Sequence, residues 1–484
     1  MLSCISYMDI QPQFSHDDSQ MLRIGKKSLF LAGAILLVLM TATGIMTRFI
    51  PAGSYEYETV SGRQTIIEDT FQFTDDAPLP VWRWYTAAVE VLWGPDAVLI
   101  ISIILFMCLI AGAVTVMNSG GMLSYLLMVI IQRFKNRRYL MEASIILILM
   151  LFGSLLGSIE EVVVIVPLMT ALAVRMGWDT IIGLGMSLGA IAFGFASALT
   201  NPFTIGIAQR LAGIPVFSGI GFRLLIFITI YLVYTGYVIS TSRSRTHTLH
   251  TSLSSDSSED MPHTFSQGMR RGFRWFVLWL FIMAVLIAAS ARIPLLSDIM
   301  LAVVVICFLI GGLGAGAFAG MRAKSILKHT LTGITTVAPG IILILMAASI
   351  KHIMHKSGSM DTLLYLASGK ISQAEPFRAA LLIYLLVLGL NFFISSGSAK
   401  AFLIIPIITP LADMVGLSRQ TAVLAYVFGD GFSNIFYPTN AILLICLSIT
   451  GVSYFTWFRW IWKIQLTVFG ITVLFLLLAV HIGY

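Results

Sequence analysis

Charge is scarce in this chain. Asp, Glu, Lys and Arg make up 11% of its 484 residues, where a soluble domain carries about 25%. Hydrophobic residues reach 58%. That balance excludes a soluble enzyme or binding module and indicates a polytopic membrane protein, with room for roughly ten to twelve segments of ~20 apolar residues. Cysteine is also sparse. Cys4 lies in the polar amino-terminal stretch, and Cys108, Cys307 and Cys446 lie in apolar segments, so no disulfide or metal framework is in view. There is no GxxxxGK[ST] run and no large polar domain, so nothing points to direct use of ATP. The first apolar run starts near residue 28 and is flanked by lysines, which fits a retained helix rather than a cleaved signal. The net charge of +7 does not point to nucleic acid. The basic residues gather in short loops, such as Arg133, Lys135, Arg137 and Arg138, or Arg270, Arg271 and Arg274, as cytoplasmic loops do.

Against that background, the few charges inside apolar segments stand out. Glu160 and Glu161 sit side by side in LLGSIEEVVVIVP, with no other charge between Glu142 and Arg175. Carboxylates at membrane depth are costly and default to function. Lys400 holds the matching place in FFISSGSAKAFLIIPIITP, 239 residues after Glu161. Gly416 follows Gly177, Thr439 follows Thr200 and Asn440 follows Asn201 at the same offset of 239, and Met360 follows Met122 at 238. The chain therefore reads as two related halves.

The expected organisation is a cytoplasmic tail (1–27), a first transmembrane half (28–240), a cytoplasmic linker (241–274) rich at its start in Ser, Thr and His, and a second transmembrane half (275–484). The first half holds a helical hairpin over 139–174 and a broken helix over 180–212. The second holds a hairpin over 377–413 and a broken helix over 419–446. Residues 50–73 alternate like a β-hairpin with a turn at Ser61-Gly62, and Trp82, Trp84 and Trp93 suit a membrane interface. Residues 120–134 and 353–368 read as a matched pair of surface helices. An odd number of crossings between the hairpins inverts the second half. The fold class is thus an all-α polytopic membrane protein with inverted-topology repeats, two opposed re-entrant hairpins and two broken helices, as in secondary transporters. Nine full crossings put the amino terminus in the cytoplasm and Tyr484 outside.

The candidate substrate- and ion-binding residues lie at the tips and breaks. Ser158, Glu160 and Glu161 form one tip, and Ser396, Gly397, Ser398 and Lys400 form the other. Helix ends there expose unpaired amides and carbonyls that bind anions and cations. A glutamate paired with Lys400 for structure alone is the plainer alternative. Thr200, Asn201, Thr439 and Asn440 flank prolines that interrupt apolar helices, and ordinary proline kinks are the alternative there. Asp430, between Gly429 and Gly431, and Asn434 complete the set. Unwinding at the glycines would let the aspartate hold Na⁺, a proton or a substrate ammonium, while a half-helix cap is the plainer role. Arg210 and Arg223 read as outer-interface charges, and His352 with His355 is weak as a metal motif.

The runs SALTNPFTIGIAQRLAGIPVFSG, NFFISSGSAKAFLIIPIITPLADMVGLSRQTAVLAYVFGDGFSN, YPTN and IPAGSYE resemble the C4-dicarboxylate anaerobic carrier-like family of the ion transporter superfamily. Some of its members are described as basic amino-acid antiporters of the arginine/ornithine type. The resemblance implies a scaffold domain, a mobile transport domain carrying the two hairpins, a homodimer and an elevator-type motion. The expected function is secondary active transport of a small charged organic solute, a C4-dicarboxylate or an amino acid. Transport would be coupled to Na⁺, H⁺ or a counter-solute in a bacterial inner membrane. No cofactor is expected beyond a coupling ion, with Na⁺ at the tips and breaks as the candidate metal. The expected partners are the solute, the lipid bilayer and a second copy of the chain, with no nucleic acid. The acidic balance of Glu160, Glu161 and Asp430 against Lys400 leans toward a cationic or zwitterionic solute, or toward a cation partner for an anion. A channel, or a hydrolase using Ser396 or Ser398 with Lys400, is the remote rival.

Overall fold

The computed structural model describes residues 26–60, 63–67, 70–75, 78–94, 97–122, 125, 129, 134, 137–157, 159, 162–245, 267–290 and 300–484. Helix dominates. In chain order the helices are α1 (Lys26–Met46), α2 (Val81–Glu90), α3 (Ala97–Ser119), α4 (Arg138–Leu156), α5 (Val162–Arg175) and α6 (Thr180–Ser197). A π-helical turn over Pro202–Gly206 then runs into Ile207–Leu211, and the two together form α7. There follow α8 (Ile220–Arg245), α9 (Gln267–Ser290), α10 (Met300–Phe318), α11 (Ala323–Lys356) and α12 (Ser359–Ile371). The last five are α13 (Pro376–Asn391), α14 (Gly397–Met414), α15 (Arg419–Gly431), α16 (Ala441–Thr450) and α17 (Tyr454–Ile482).

Among the described residues, six helices are long and apolar enough to cross a membrane: Arg138–Leu155, Thr180–Ser197, Ile220–Ser244, Ala323–Lys356, Gly397–Met414 and Tyr454–Ile482. Two of these, Arg138–Leu155 and Gly397–Met414, fall where the sequence suggested short hairpin arms. Shorter apolar helices lie over Phe30–Met46, Cys108–Ser119 and Val305–Phe318.

The helices sort into two packed regions. In one, α3 packs against α10 and α11, α9 against α10, and α1 against α11. In the other, the first arm of each helical pair lies along a neighbouring discontinuous helix: α4 on α6, and α13 on α15. Small residues permit this. A Cβ on Gly153 would come within 2.2 Å of the Ile191 carbonyl oxygen, and one on Gly194 within 2.0 Å of the Met150 carbonyl oxygen. Without a hydrophobic force between helices in lipid, such backbone-to-backbone approach is a main source of packing energy. α6 is the innermost helix, with 94% of its residues buried. It meets α15 at one crossing point, where a Cβ on Gly431 would stand 2.4 Å from Ala196 Cα.

The extended stretch after α1 forms two small antiparallel pairs. β1 (Gly53–Ser54) pairs with β4 (Gln72–Phe73), and β2 (Tyr57–Val60) with β3 (Arg63–Ile66). The expected turn at Ser61-Gly62 lies outside the described residues. This hairpin is fastened to α12. Asp361 accepts hydrogen bonds from the Tyr55 amide at 3.0 Å and from the Tyr57 hydroxyl at 2.7 Å. Phe71 stacks on Tyr365 with ring centroids 4.2 Å apart. Burial, and next the Asp361 carboxylate, push the Tyr57 hydroxyl well above its ordinary pKa. β3 also packs against α14.

Several expectations need adjustment. The mirrored surface helix is shorter and later than 353–368, because α11 continues to Lys356 and Gly358, at φ 67°, turns the chain into α12. Its counterpart over 120–134 falls largely outside the described residues. α8 and α9 reach to Arg245 and back to Gln267, so helix enters the expected linker from both sides. Trp82 and Trp93 remain exposed as interface residues would, whereas Trp84 is buried against Gly44.

The crossing of α6 and α15 gives a direct test. Gly431→Ala forces a displacement at Ala196 and is expected to destabilise the protein by about 1–3 kcal/mol, read as a lower Tm. Gly470→Ala on α17, where a Cβ meets nothing within 4 Å, should leave Tm unchanged or raised. Equal melting of the two variants would show that the helices do not touch at Gly431.

Candidate functional site

The site is assembled from helix ends. α4 stops at Gly157, whose φ of 69° suits glycine, and a Cβ there would come within 1.9 Å of Asn201 Oδ1. α6 stops at Ala198, itself left-handed at φ 40°. The loop between is held by α4: the Leu199 amide donates to Ser154 Oγ at 3.0 Å and the Thr200 amide to the Ser154 carbonyl at 3.2 Å. Thr200 Oγ1 donates to the Leu155 carbonyl at 3.3 Å. Asn201 then caps α7, accepting from the Phe203 and Thr204 amides at 2.9 and 3.2 Å, with Pro202 as the first residue of the new helix. Asn at the cap and Pro just inside it is the expected chemistry of a helix start.

The second half repeats the device with different side chains. Ser396 caps α14, accepting from the Ala399 amide at 3.4 Å. Gly397 is the first helical residue, and a Cβ on it would meet Asp430 Oδ2 at 2.6 Å and Thr204 Cγ2 at 2.9 Å. The Tyr426 hydroxyl donates to the Gly397 carbonyl. α15 ends at Gly431, and the chain turns through 432–440 before Asn440 caps α16, accepting from the Ile442 and Leu443 amides at 3.0 and 3.2 Å.

A buried ion pair links these ends. Lys400 Nζ lies 2.8 Å from Asp430 Oδ1, both side chains having 0% exposure. The ammonium donates to the Ile394 carbonyl at 2.7 Å and to Asn391 Oδ1. Neither carboxylate oxygen accepts a hydrogen bond of good angle among the described residues. Asn391 Nδ2 donates to Ser433 Oγ at 2.6 Å and to Asn434 Oδ1 at 3.1 Å, and Asn440 Nδ2 reaches the same Asn434 oxygen at 3.3 Å. Polar contacts thus run from Asp430 through Lys400, Asn391 and Asn434 to Asn440, while Gly397 brings α14 close to Asp430 and to the Thr204 methyl, and Gly157 brings α4 close to Asn201. Beside that path, Asn201 Nδ2, Thr204 Oγ1 and Thr439 Oγ1 are buried with no hydrogen-bond partner among the described residues.

Of the residues singled out from the sequence, Asn201, Gly397, Lys400, Asp430, Asn434 and Asn440 are brought together. Thr200 serves the first break, and Ser396 caps α14 at the second tip. Thr439 is buried beside Asn440 but makes no bond to the network. Ser398 lies half-buried in the first turn of α14, without a hydrogen bond to the network. Ser158, Glu160 and Glu161 lie outside the described residues. Asp430 is not at an unwound point: α15 stays helical through Gly431, because Gly429 and Gly431 serve close approach to Tyr384, Val387 and Ala196. Gly397 to Lys400 likewise form the opening turn of α14 rather than a loop.

Asn391 and Thr204 were not foreseen. The one signal for Asn391 was a carboxamide nine residues before Lys400 in an otherwise apolar arm. Arg223 is another correction. It is fully buried, donating to the carbonyls of Ser218 at 2.6 Å and Leu199 at 3.0 Å and to the Tyr484 hydroxyl at 3.1 Å, so it braces the first break from behind. His352 sits on α11 with Nε2 3.6 Å from Glu90 Oε2, and no metal-binding cluster is present among the described residues.

Helix ends meeting around buried polar atoms, in a chain with several membrane-length helices, define a polytopic membrane protein of the transporter class. The chain belongs to the C4-dicarboxylate anaerobic carrier family, whose profile matches residues 31–481. It is 28% identical over 378 residues to an Escherichia coli protein named "Putative basic amino acid antiporter YfcC", covering 74% of this chain and 73% of that one. An uncharacterized Haemophilus influenzae protein is 24% identical over 386 residues, covering 75% and 72%. Two solved transporter structures align at low similarity. The Alcanivorax borkumensis YdaH transporter gives a TM-score of 0.41 at 18% identity, over 94% of this chain and 99% of that one. Neisseria gonorrhoeae MtrF, from a class of antimetabolite efflux pumps, gives 0.39 at 15%, over 95% and 96%.

Asn391 joins Lys400 to the second break. Asn391→Ala strands the ammonium without one acceptor, and a hydrogen bond to a charged group is worth about 1.5–3 kcal/mol. A loss of stability of that order, read as a lower Tm of the purified protein, is expected. A variant melting like the parent would mean that Asn391 does not hold Lys400.

Proposed function

We propose that this chain is a secondary active transporter of a small charged organic solute, a C4-dicarboxylate or an amino acid, working by ion-coupled or exchange transport. The observation that carries the reading is the close approach of two helix breaks and the α14 start around a buried Lys400–Asp430 pair, with Asn201, Thr204 and Thr439 holding unsatisfied atoms. Irregular backbone in a membrane needs protein or a cavity around it, and transporters place such breaks at the substrate site. The two halves are inverted repeats, in this proposal, and the α4–α5 and α13–α14 pairs are re-entrant hairpins of a mobile domain. The region of α1, α3, α9, α10 and α11 is the scaffold and homodimer body, giving an elevator-type motion. Ser158, Glu160, Glu161, Thr200, Ser396, Ser398 and Asn434 complete the solute and ion ligands, with Na⁺ or H⁺ as the coupling ion. The domain limits are those of the two halves. The protein sits in the inner membrane with its amino terminus in the cytoplasm and Tyr484 outside.

Basic amino-acid antiport is the second reading. The name of the Escherichia coli relative favours it, as do the carboxylates Glu160 and Glu161. Asp430 is already paired with Lys400, so a cationic solute would have to rely on those two glutamates.

A ligand that binds only the folded protein raises its melting temperature. Purified protein is therefore melted against amino acids, C4-dicarboxylates and monocarboxylates, with and without Na⁺. One class should stabilise it, and Asn201→Ala or Thr204→Val should remove that gain. No response to any class, or an undiminished response in both variants, would count against a solute site here. Glu160→Gln and Glu161→Gln are read in reconstituted uptake: loss of coupled transport in at least one, with its melting temperature retained, is expected. Normal coupled transport in both would remove the carboxylates from the mechanism.

A further inference from the structure

Lys400 is an unfavourable place for a positive charge. It lies in the opening turn of α14, where the helix dipole opposes a cation, and its side chain is fully buried. A set of oxygens offsets this: the Asn391 carboxamide oxygen, the Ile394 carbonyl at 2.7 Å and Asp430 Oδ1 at 2.8 Å. Two of them come from the end of α13 and the segment just after it, where carbonyls are left free and positive charge is welcome. The third comes from α15. A carbonyl, a carboxamide oxygen and a carboxylate form a donor set of the kind hard cations take. The lysine ammonium is itself a compact point charge able to occupy such a set.

The set exists in one half only. At the 239-residue offset, Asp430 falls against Ile191, Asn391 against Phe152 and Lys400 against Glu161. The first half has apolar residues where the second has oxygen donors, and an acid where the second has an ammonium.

Resting on the reading of the tips and breaks as a transport site, we propose that the Lys400 ammonium is a tethered cation. It takes, at the start of α14, the coordination place of a free monovalent cation, so that this half of the protein binds no metal ion of its own. Side chain and ion are alternatives for one set of oxygens. A charge fixed to the chain cannot leave during a cycle, so any dissociable coupling cation must be held with ligands of the first half, elsewhere than in this set of oxygens.

The test is thermal unfolding of the purified full chain in NaCl, KCl and N-methylglucamine chloride at equal ionic strength. Lys400→Ala should melt lower than the parent in N-methylglucamine chloride. NaCl or KCl should raise it by about 3 °C or more beyond any rise seen in the parent, and adding Asp430→Asn should abolish that extra rise. The same salt dependence in parent and Lys400→Ala overturns the proposal, as does an extra rise that survives Asp430→Asn. If Lys400→Ala proves hard to isolate, it should be recovered folded only from NaCl or KCl. Recovery from no salt, while Lys400→Met with Asp430→Asn folds in all three, overturns it too. The salt comparison uses no solute. Failure of every solute to stabilise the parent would therefore count against the transport reading while leaving the tethered cation standing.

Discussion

Taking an ammonium and a carboxylate out of water costs several kcal/mol per ion, and their attraction offsets this only with good geometry and further hydrogen bonds. Lys400 and Asp430 meet that condition from one side. The lysine has Asn391 and the Ile394 carbonyl besides its partner, while among the described residues the aspartate has the lysine alone. The geometry around the pair follows from keeping the two together. α14 must begin within reach of the end of α13, α15 must stay helical through Asp430, and Gly397 must lack a side chain because the carboxylate occupies that space. Replacing one partner leaves the other charged and buried, so the three helices are constrained as a unit.

Discontinuous helices leave amides and carbonyls unpaired at membrane depth, where each costs several kcal/mol if unsatisfied. The chain answers with asparagine and serine caps at Asn201, Ser396 and Asn440, and with Arg223 donating to the carbonyls behind the first break. Glycines then let helix ends come close, at Gly157 against the Asn201 cap and at Gly431 against Ala196.

What could be read from the sequence was whatever breaks a pattern. A proline beside Thr and Asn interrupts an apolar run, so the breaks at 200–202 and 438–440 were legible, whereas the capping role of Asn201 and Asn440 was not. Arm boundaries came within a few residues for α4 and α5, because Gly157 and the basic residues at 137, 138 and 175 mark them. Asn391 and Thr204 gave no such signal, since one polar residue in an apolar helix resembles many harmless ones. Asp430 misled because flanking glycines signal either unwinding or close packing, and only the position of Ala196 decides between them. A buried arginine and an interfacial one look alike until the carbonyls of Leu199 and Ser218 are seen to converge on Arg223.

The β-hairpin after α1 has a consequence for how the protein is made. Its anchor, Asp361, lies 306 residues beyond Tyr55. At a synthesis rate of about 5–20 residues per second, the hairpin waits roughly 15–60 s for the residue that holds it. During that time Tyr55, Tyr57 and Phe71 have neither Asp361 nor Tyr365 to pack on, and α14, against which β3 rests, comes later still. The nascent hairpin is therefore an aromatic, aggregation-exposed segment, and its docking cannot precede emergence of the second half from the ribosome. The biogenesis of this protein has a late step in which a segment made early is among the last to find its seat.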